Sequence, residues 1–207
     1  MKKLFFIFIA FLCIPFLRAQ QQTSPVSVIP IKGTIDLGLS AFVERAVREA
    51  ETAGCSTIIF EIDTLGGRVD AALKIRDAII DAKVPTVAFI NKRAISAGAL
   101  ISLACKTIYM APAGTIGAAK PVECGISCSP EQKADEKTVS FLRKEFKSTA
   151  ERNGHPANIA EAFVDQDVEI KDLNAKGKLL TLTTAEALAW KLAAATCGSL
   201  DDLFKQL

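Results

Sequence analysis

Residues 57–110 read TIIFEIDTLGGRVDAALKIRDAIIDAKVPTVAFINKRAISAGALISLACKTIYM. The run Thr57 to Ile62 is apolar except for Glu61, the pattern of a strand buried on both faces. Gly66-Gly67 breaks it, and Ala72, Leu73, Ile75, Ile79 and Ile80 then recur at helical spacing. Pro85 opens a second apolar run, Thr86 to Ile90. Ser96-Ala97-Gly98-Ala99 starts an apolar helix reaching Cys105, and Thr107 to Met110 reads as another strand. This alternation predicts an α/β fold around a mostly parallel sheet.

Upstream, Val26 to Ile31 predicts a strand ended by Gly33. From Leu39 the positions Phe42, Val43, Ala46, Val47 and Ala50 mark a helix that Gly54 ends. Its polar side carries Glu44, Arg45, Arg48 and Glu49, whose spacing allows surface pairs of little energetic weight. Downstream, residues 112–135 read as loop, rich in Gly, Ala, Pro and Cys. Val139, Leu142, Phe146 and Ala150 predict a helix from Glu136 that stops before Asn153-Gly154-His155-Pro156. A short helix (Ile159 to Val164), a hairpin-like segment (Lys178 to Thr181) and helices at Ala185–Trp190 and Leu200–Phe204 complete the chain. Trp190 reads as a core or interface anchor.

The 207 residues hold 25 Lys+Arg and 23 Asp+Glu, a formal net charge of +2, with 50% hydrophobic residues. That is a globular composition, and the charge is too small for a nucleic-acid binder. Residues 1–19, MKKLFFIFIAFLCIPFLRA, contain Lys2, Lys3 and Arg18 and no acid, so the remainder carries −1. A basic start, an apolar run from Leu4 to Leu17 and a small residue at Ala19 form the pattern of a secretory signal peptide. The run is short for a membrane span, which needs about 20 residues. The expected organisation is a signal peptide at 1–19, a polar linker at 20–25 and a single catalytic domain at 26–207. The expected location is periplasmic or otherwise extracytoplasmic, with membrane association through the N-terminus if it stays uncleaved.

Of six cysteines, Cys13 belongs to the signal segment. Cys55 and Cys105 flank apolar runs and read as core residues. Cys124 and Cys128 enclose CGISC, where export would permit a disulfide but two free thiols fit equally. A zinc site there would need two more ligands, and the sole histidine, His155, is far away in sequence.

Function in open α/β sheets concentrates in loops at the carboxyl ends of strands. Three such loops stand out: Asp63-Thr64-Leu65-Gly66-Gly67, Ile95-Ser96-Ala97-Gly98-Ala99, and Gly114-Thr115-Ile116-Gly117-Ala118-Ala119-Lys120-Pro121. Paired glycines turn the backbone sharply and present N–H groups. The second loop sets a hydroxyl on a tight turn at a helix N-terminus. Each loop alone is an ordinary turn or helix cap; their joint occurrence in this order is far more specific.

Over residues 26–205, the order strand–DTLGG–helix–strand–SAGAL–helix–strand–APAGTIGAAKP resembles the Clp-protease/crotonase superfamily. More narrowly, it is similar to the catalytic domain of NfeD-type membrane-bound serine proteases. KSTAERNGHPANIAEAFV and LTTAEALAWKLA fit the same family's C-terminal half. The resemblance implies a Clp-protease/crotonase-like fold of repeated β-β-α units around a mostly parallel sheet. It implies Ser96 as nucleophile, Lys137 as general base, and the N–H groups of Gly67 and Ala97 as an oxyanion hole. No cofactor and no metal are implied. Leu65 departs from the family's usual proline, and the Cys124–Cys128 loop sits where a substrate-covering segment would be. Many family members continue into membrane spans and a small β-barrel; this chain stops at Leu207 and shows neither.

A Ser-Lys dyad agrees with the residues available. A serine hydroxyl needs a base, and His155 lies in a Gly-His-Pro turn outside all three loops and reads as a surface residue. A lysine serves only when its pKa falls well below about 10.4, through burial or a helix N-terminus. Lys137 heads an amphipathic helix; Lys120, nearer Ser96 in sequence, is the rival base.

The expected function is thus an exported serine endopeptidase. The family implies apolar peptide segments of membrane-associated proteins as substrates and at least a dimer; a homodimer is expected, with room for a separate membrane partner. One rival is a catalytically silent binding or scaffold domain of the same fold. A crotonase-type acyl-CoA enzyme is another, but it would need an acidic catalytic group, and an exported protein meets no CoA.

Overall fold

The computed structural model describes residues 24–122 and 135–207. The residues expected to form the signal peptide and Cys124 and Cys128 lie outside them. Five strands run in parallel in the order β1 (Val26–Ile35), β2 (Thr57–Gly67), β3 (Thr86–Ile95), β4 (Thr107–Met110), β7 (Ala195–Thr196). Helices α1 (Leu37–Thr52), α2 (Val69–Ile80) and α3 (Ala97–Ala104) connect the first four.

Helix α1 starts where the Asp36 carboxylate accepts the Leu39 N–H at 2.8 Å, an N-cap, and buries Ser40, Val43, Val47 and Ala50 at helical spacing. Arg45 and Glu49 pair on its exposed side at 3.5 Å, as the spacing allowed. Helix α3 is buried along its whole length, at the centre of the molecule. Its small residues let neighbouring backbone approach, and its one hydroxyl inside, Ser102 Oγ, donates to the Gly98 carbonyl at 2.8 Å.

The strands run further than their apolar runs suggest. β1 continues past Gly33 (φ +76) to Ile35, β2 takes in the whole DTLGG segment, and β3 extends to Ile95. Both ladders shift register on the way, β1–β2 between Lys32 and Thr34 and β2–β3 between Ile62 and Thr64. Beyond those shifts the sheet forks. The first half of β3 pairs with β4 and its last three residues pair with β5 (Thr115–Gly117), a strand inside the segment expected to be loop. β5 also pairs antiparallel with β6 (Thr181–Thr183), so the expected hairpin near Lys178 is instead a long-range pairing.

Helix α4 (Glu136–Asn153) lies against α3 and α5 (Ala157–Val164), followed by α6 (Thr184–Ala189) and α7 (Leu200–Phe204). Cys55 and Cys105 are buried free thiols and Trp190 packs half-buried on the core, as read from sequence; Cys197, for which the sequence offered no reading, is a third buried thiol. No helix among the described residues is long and apolar enough to cross a membrane.

Candidate active site

Ser96 stands between the end of β3 and the start of α3, at φ 57° and ψ −117°. A non-glycine residue there costs about 1–3 kcal/mol and persists only where its surroundings enforce it. Here the Ser96 N–H donates to the Gly117 carbonyl at 2.9 Å, and the Ser96 carbonyl accepts the Ala99 N–H at 3.0 Å. The side chain does not cap the helix it precedes. This strand-to-helix elbow leaves Ser96 half-exposed, the stance a nucleophile needs. Ala97 is the first residue of α3, so its N–H has no partner within the helix.

The two glycines of β2 are there for close approach. A Cβ on Gly66 (φ +108) would stand 2.7 Å from the Ser96 Cβ, and one on Gly67 would stand 2.1 Å from the Ile35 carbonyl oxygen. The tail of β2 is thereby pressed between β1 and the serine. Gly67, Ser96 and Ala97 share the wall of a cavity of about 30 Å³ with Val69, Ala72, Leu100, Ala119, Pro121, Leu142 and Phe146. Apart from the Ser96 hydroxyl and backbone its lining is apolar. A larger groove, about 370 Å³, runs between α1 and α2 among Glu44, Arg48, Glu51, Lys74, Asp77 and Asp81. It holds no nucleophile and none of the glycine-rich segments.

The structure brings Ser96, Gly67 and Ala97 together. Lys137 is exposed on the first turn of α4 and is not among the residues lining the cavity. Around the helix it lies about 140° from Leu142 and about 180° from Phe146, the two α4 residues that do. Lys120 is turned away as well. Its neighbours Ala119 and Pro121 line the cavity, while its ammonium donates to Gln166 Oε1 at 2.8 Å.

His155 is not the surface residue that its turn suggested. It is half-buried, and its Nε2 lies 2.8 Å from the Cys105 carbonyl oxygen. Burial holds its pKa below the usual histidine value, and Lys106 pushes the same way against that hydrogen bond. Thr64 had no assigned role. It is buried, its hydroxyl accepts the Gly66 N–H at 2.9 Å and donates to the Gly33 carbonyl. A threonine two residues ahead of a turn glycine was the available signal. The Gly117 carbonyl behind Ser96 had no signal in the sequence.

A family model described as NfeD1b, N-terminal domain, matches residues 25–207. The chain is 36% identical over 192 residues to the membrane protein NfeD1b of Bacillus subtilis (strain 168), covering 92% of this chain and 43% of that one. It is 31% identical over 184 residues to the membrane-bound protease PH1510 of Pyrococcus horikoshii, covering 87% and 39%. The chain thus spans about two-fifths of the length of these relatives.

Two solved structures of the 1510-N membrane-bound stomatin-specific protease superpose with a TM-score of 0.77. One is a serine-to-alanine mutant, 30% identical, with 89% of this chain and 84% of that one covered. The other is a lysine-to-alanine mutant in complex with a substrate peptide, 31% identical, with 89% and 80% covered. ClpP1 from Listeria monocytogenes, 19% identical at a TM-score of 0.64 with 85% and 94% covered, shares the fold. Matched from residue 25 to its last residue, this chain belongs to the NfeD1b N-terminal domain family and has the Clp-type protease fold.

Proposed function

We propose that this chain is the catalytic domain of an exported serine endopeptidase, with Ser96 as nucleophile and Lys137 as general base. The observation that carries the reading is Ser96 itself, held at positive φ on a strand-to-helix elbow against Gly66, beside an apolar cavity. Ser96 Oγ attacks the scissile carbonyl and passes its proton to the Lys137 amine. The oxyanion formed accepts hydrogen bonds from the N–H groups of Gly67 and Ala97. The amine returns the proton to the leaving nitrogen, and water then releases the acyl group from Ser96. For this, Lys137 turns from solvent toward Ser96, and the bound peptide excludes water from its amine.

The apolar lining of the cavity beside Ser96 is in keeping with apolar segments of membrane-associated proteins as substrates. The relative 1510-N is described as stomatin-specific. A homodimer, a separate membrane partner and a mature N-terminus near Gln20 outside the cytoplasm belong to the same reading.

A fluorophosphonate probe and a peptide assay test it. Wild type is expected to label and to hydrolyse, and Ser96→Ala to do neither while staying folded. Lys137→Ala and Lys137→Arg are expected to lose activity nearly as fully, because the two residues act as one unit and a guanidinium cannot accept the proton. Lys120→Ala is expected to keep most of it. The exposed position of Lys137 favours one second reading, a catalytically silent binding domain. Wild-type protein that neither labels nor cleaves would establish that reading instead.

A further inference from the structure

We propose that Thr64 holds the oxyanion-hole strand in register with the nucleophile, as a positioning residue for the hydrolysis proposed above, on which this inference rests. Thr64 is 2% exposed, yet its hydroxyl is used twice, donating to the Gly33 carbonyl and accepting the Gly66 N–H. Its methyl makes a third contact, since a Cβ on Gly98 would stand 2.6 Å from Thr64 Cγ2. One small side chain therefore touches β1, the tail of β2 and the first turn of α3. Those three segments carry Ile35, Gly67 and Ala97.

Its position explains why a side chain is needed. Thr64 sits where both neighbouring ladders shift register. At such a shift, backbone groups lose their ladder partners. The hydroxyl replaces two of them, at Gly33 and at Gly66. Gly66 has no side chain to limit its rotation and lies at φ +108 against Ser96. Once its N–H is released, the peptide between Gly66 and Gly67 keeps only its pairing with Thr34 and Ile35 on one side, and that peptide carries the Gly67 N–H, the proposed oxyanion donor.

The test uses the full chain with Thr64→Val, which keeps the methyl, and Thr64→Ser, which keeps the hydroxyl. Turnover is measured per fluorophosphonate-titrated site, along with the affinity of a peptide aldehyde, whose hemiacetal oxygen occupies the same hole. Thr64→Val is expected to lose roughly ten- to a hundred-fold in kcat, less than removal of a hole donor itself costs. KM is expected to stay within about two-fold, because the lost contact belongs to the transition state. Aldehyde affinity should fall with kcat, and Thr64→Ser should recover most of both. A purely structural role would lower the melting temperature and the titrated fraction with kcat per site at the wild-type level, and that result overturns the proposal.

If wild-type protein does not hydrolyse peptides, the activity reading fails separately. The register lock is then read from amide hydrogen exchange at Gly66. Faster exchange in Thr64→Val than in wild type or Thr64→Ser supports it; equal protection in all three overturns it.

Discussion

Ser96 keeps a costly backbone conformation because its neighbours allow no other. Its N–H is tied to Gly117, its carbonyl to Ala99, and Gly66 lies against its side chain. Gly117 can take that place only as glycine. It sits at φ +132, and a Cβ there would stand 2.7 Å from the Leu180 carbonyl oxygen and 2.8 Å from the Phe163 ring. The strain at Ser96 gives a prediction opposite to the usual effect of glycine. Ser96→Gly relieves positive φ, whereas Ser96→Ala keeps it. Both should be inactive, with the glycine variant more stable than the alanine variant by about 1 kcal/mol. Paired thermal melts check the order, and an alanine variant melting above the glycine variant would remove strain from the account of this turn.

At the scale of elements, α4 connects the cavity to the rest of the fold. Its apolar stripe of Val139, Leu142, Phe146 and Ala150 faces inward, with Leu142 and Phe146 reaching the wall beside Ser96. Charged contacts fix it on both flanks. Arg76 of α2 donates to Thr149 Oγ1 at 2.9 Å and lies 3.5 Å from Glu145. Lys147 meets Glu161 of α5 at 3.0 Å, and Arg143 meets Asp165 at 2.6 Å. The last pair is the most enclosed, with the Asp165 side chain 13% exposed and Arg143 Nε buried without a partner among the described residues. Removing one member leaves a largely desolvated charge behind. Arg143→Ala should therefore cost about 1–2 kcal/mol, moderated by the partial exposure of the arginine. Arg143→Met combined with Asp165→Asn should cost less than the two single changes summed. Urea midpoints of the four proteins measure the coupling; strict additivity would mean that the pair does not hold α4.

Across the whole molecule, a single central sheet is covered on both faces. Helices α1 to α4 cover one. On the other, α7 and the β7 region close a smaller cluster of Ile59, Val87, Phe89, Ala111, Cys197 and Leu203. His155 ties the α4–α5 junction to the end of α3, where burial depresses its pKa. The folded state therefore prefers the neutral imidazole, and the unfolded chain binds the proton at higher pH. This contribution to stability is fully present above about pH 6.5 and declines as pH falls below it, by at most about 1.4 kcal/mol per pH unit for one proton. Denaturant midpoints from pH 7.5 to 5 should fall more steeply in wild type than in His155→Gln. Parallel curves would show that His155 does not carry the acid sensitivity.

The alternation of strand and helix, the burial of Cys55 and Cys105 and the three segments around Ser96 were legible because they depend on local spacing. An apolar period or a glycine pair has its effect within a few residues. Tertiary structure alone decided the rest. DTLGG is strand rather than loop because the Gly66-Gly67 backbone pairs with β1, roughly thirty residues earlier. GTIGAAKP contains a strand because β3 outruns β4 and takes a new neighbour there. His155 is held within the fold because the distant Cys105 carbonyl accepts its hydrogen bond. Helix α4, whose first turn carries Lys137, meets Arg76, Glu161 and Asp165 of distant segments. Such contacts join positions far apart in the chain, and no periodicity encodes them.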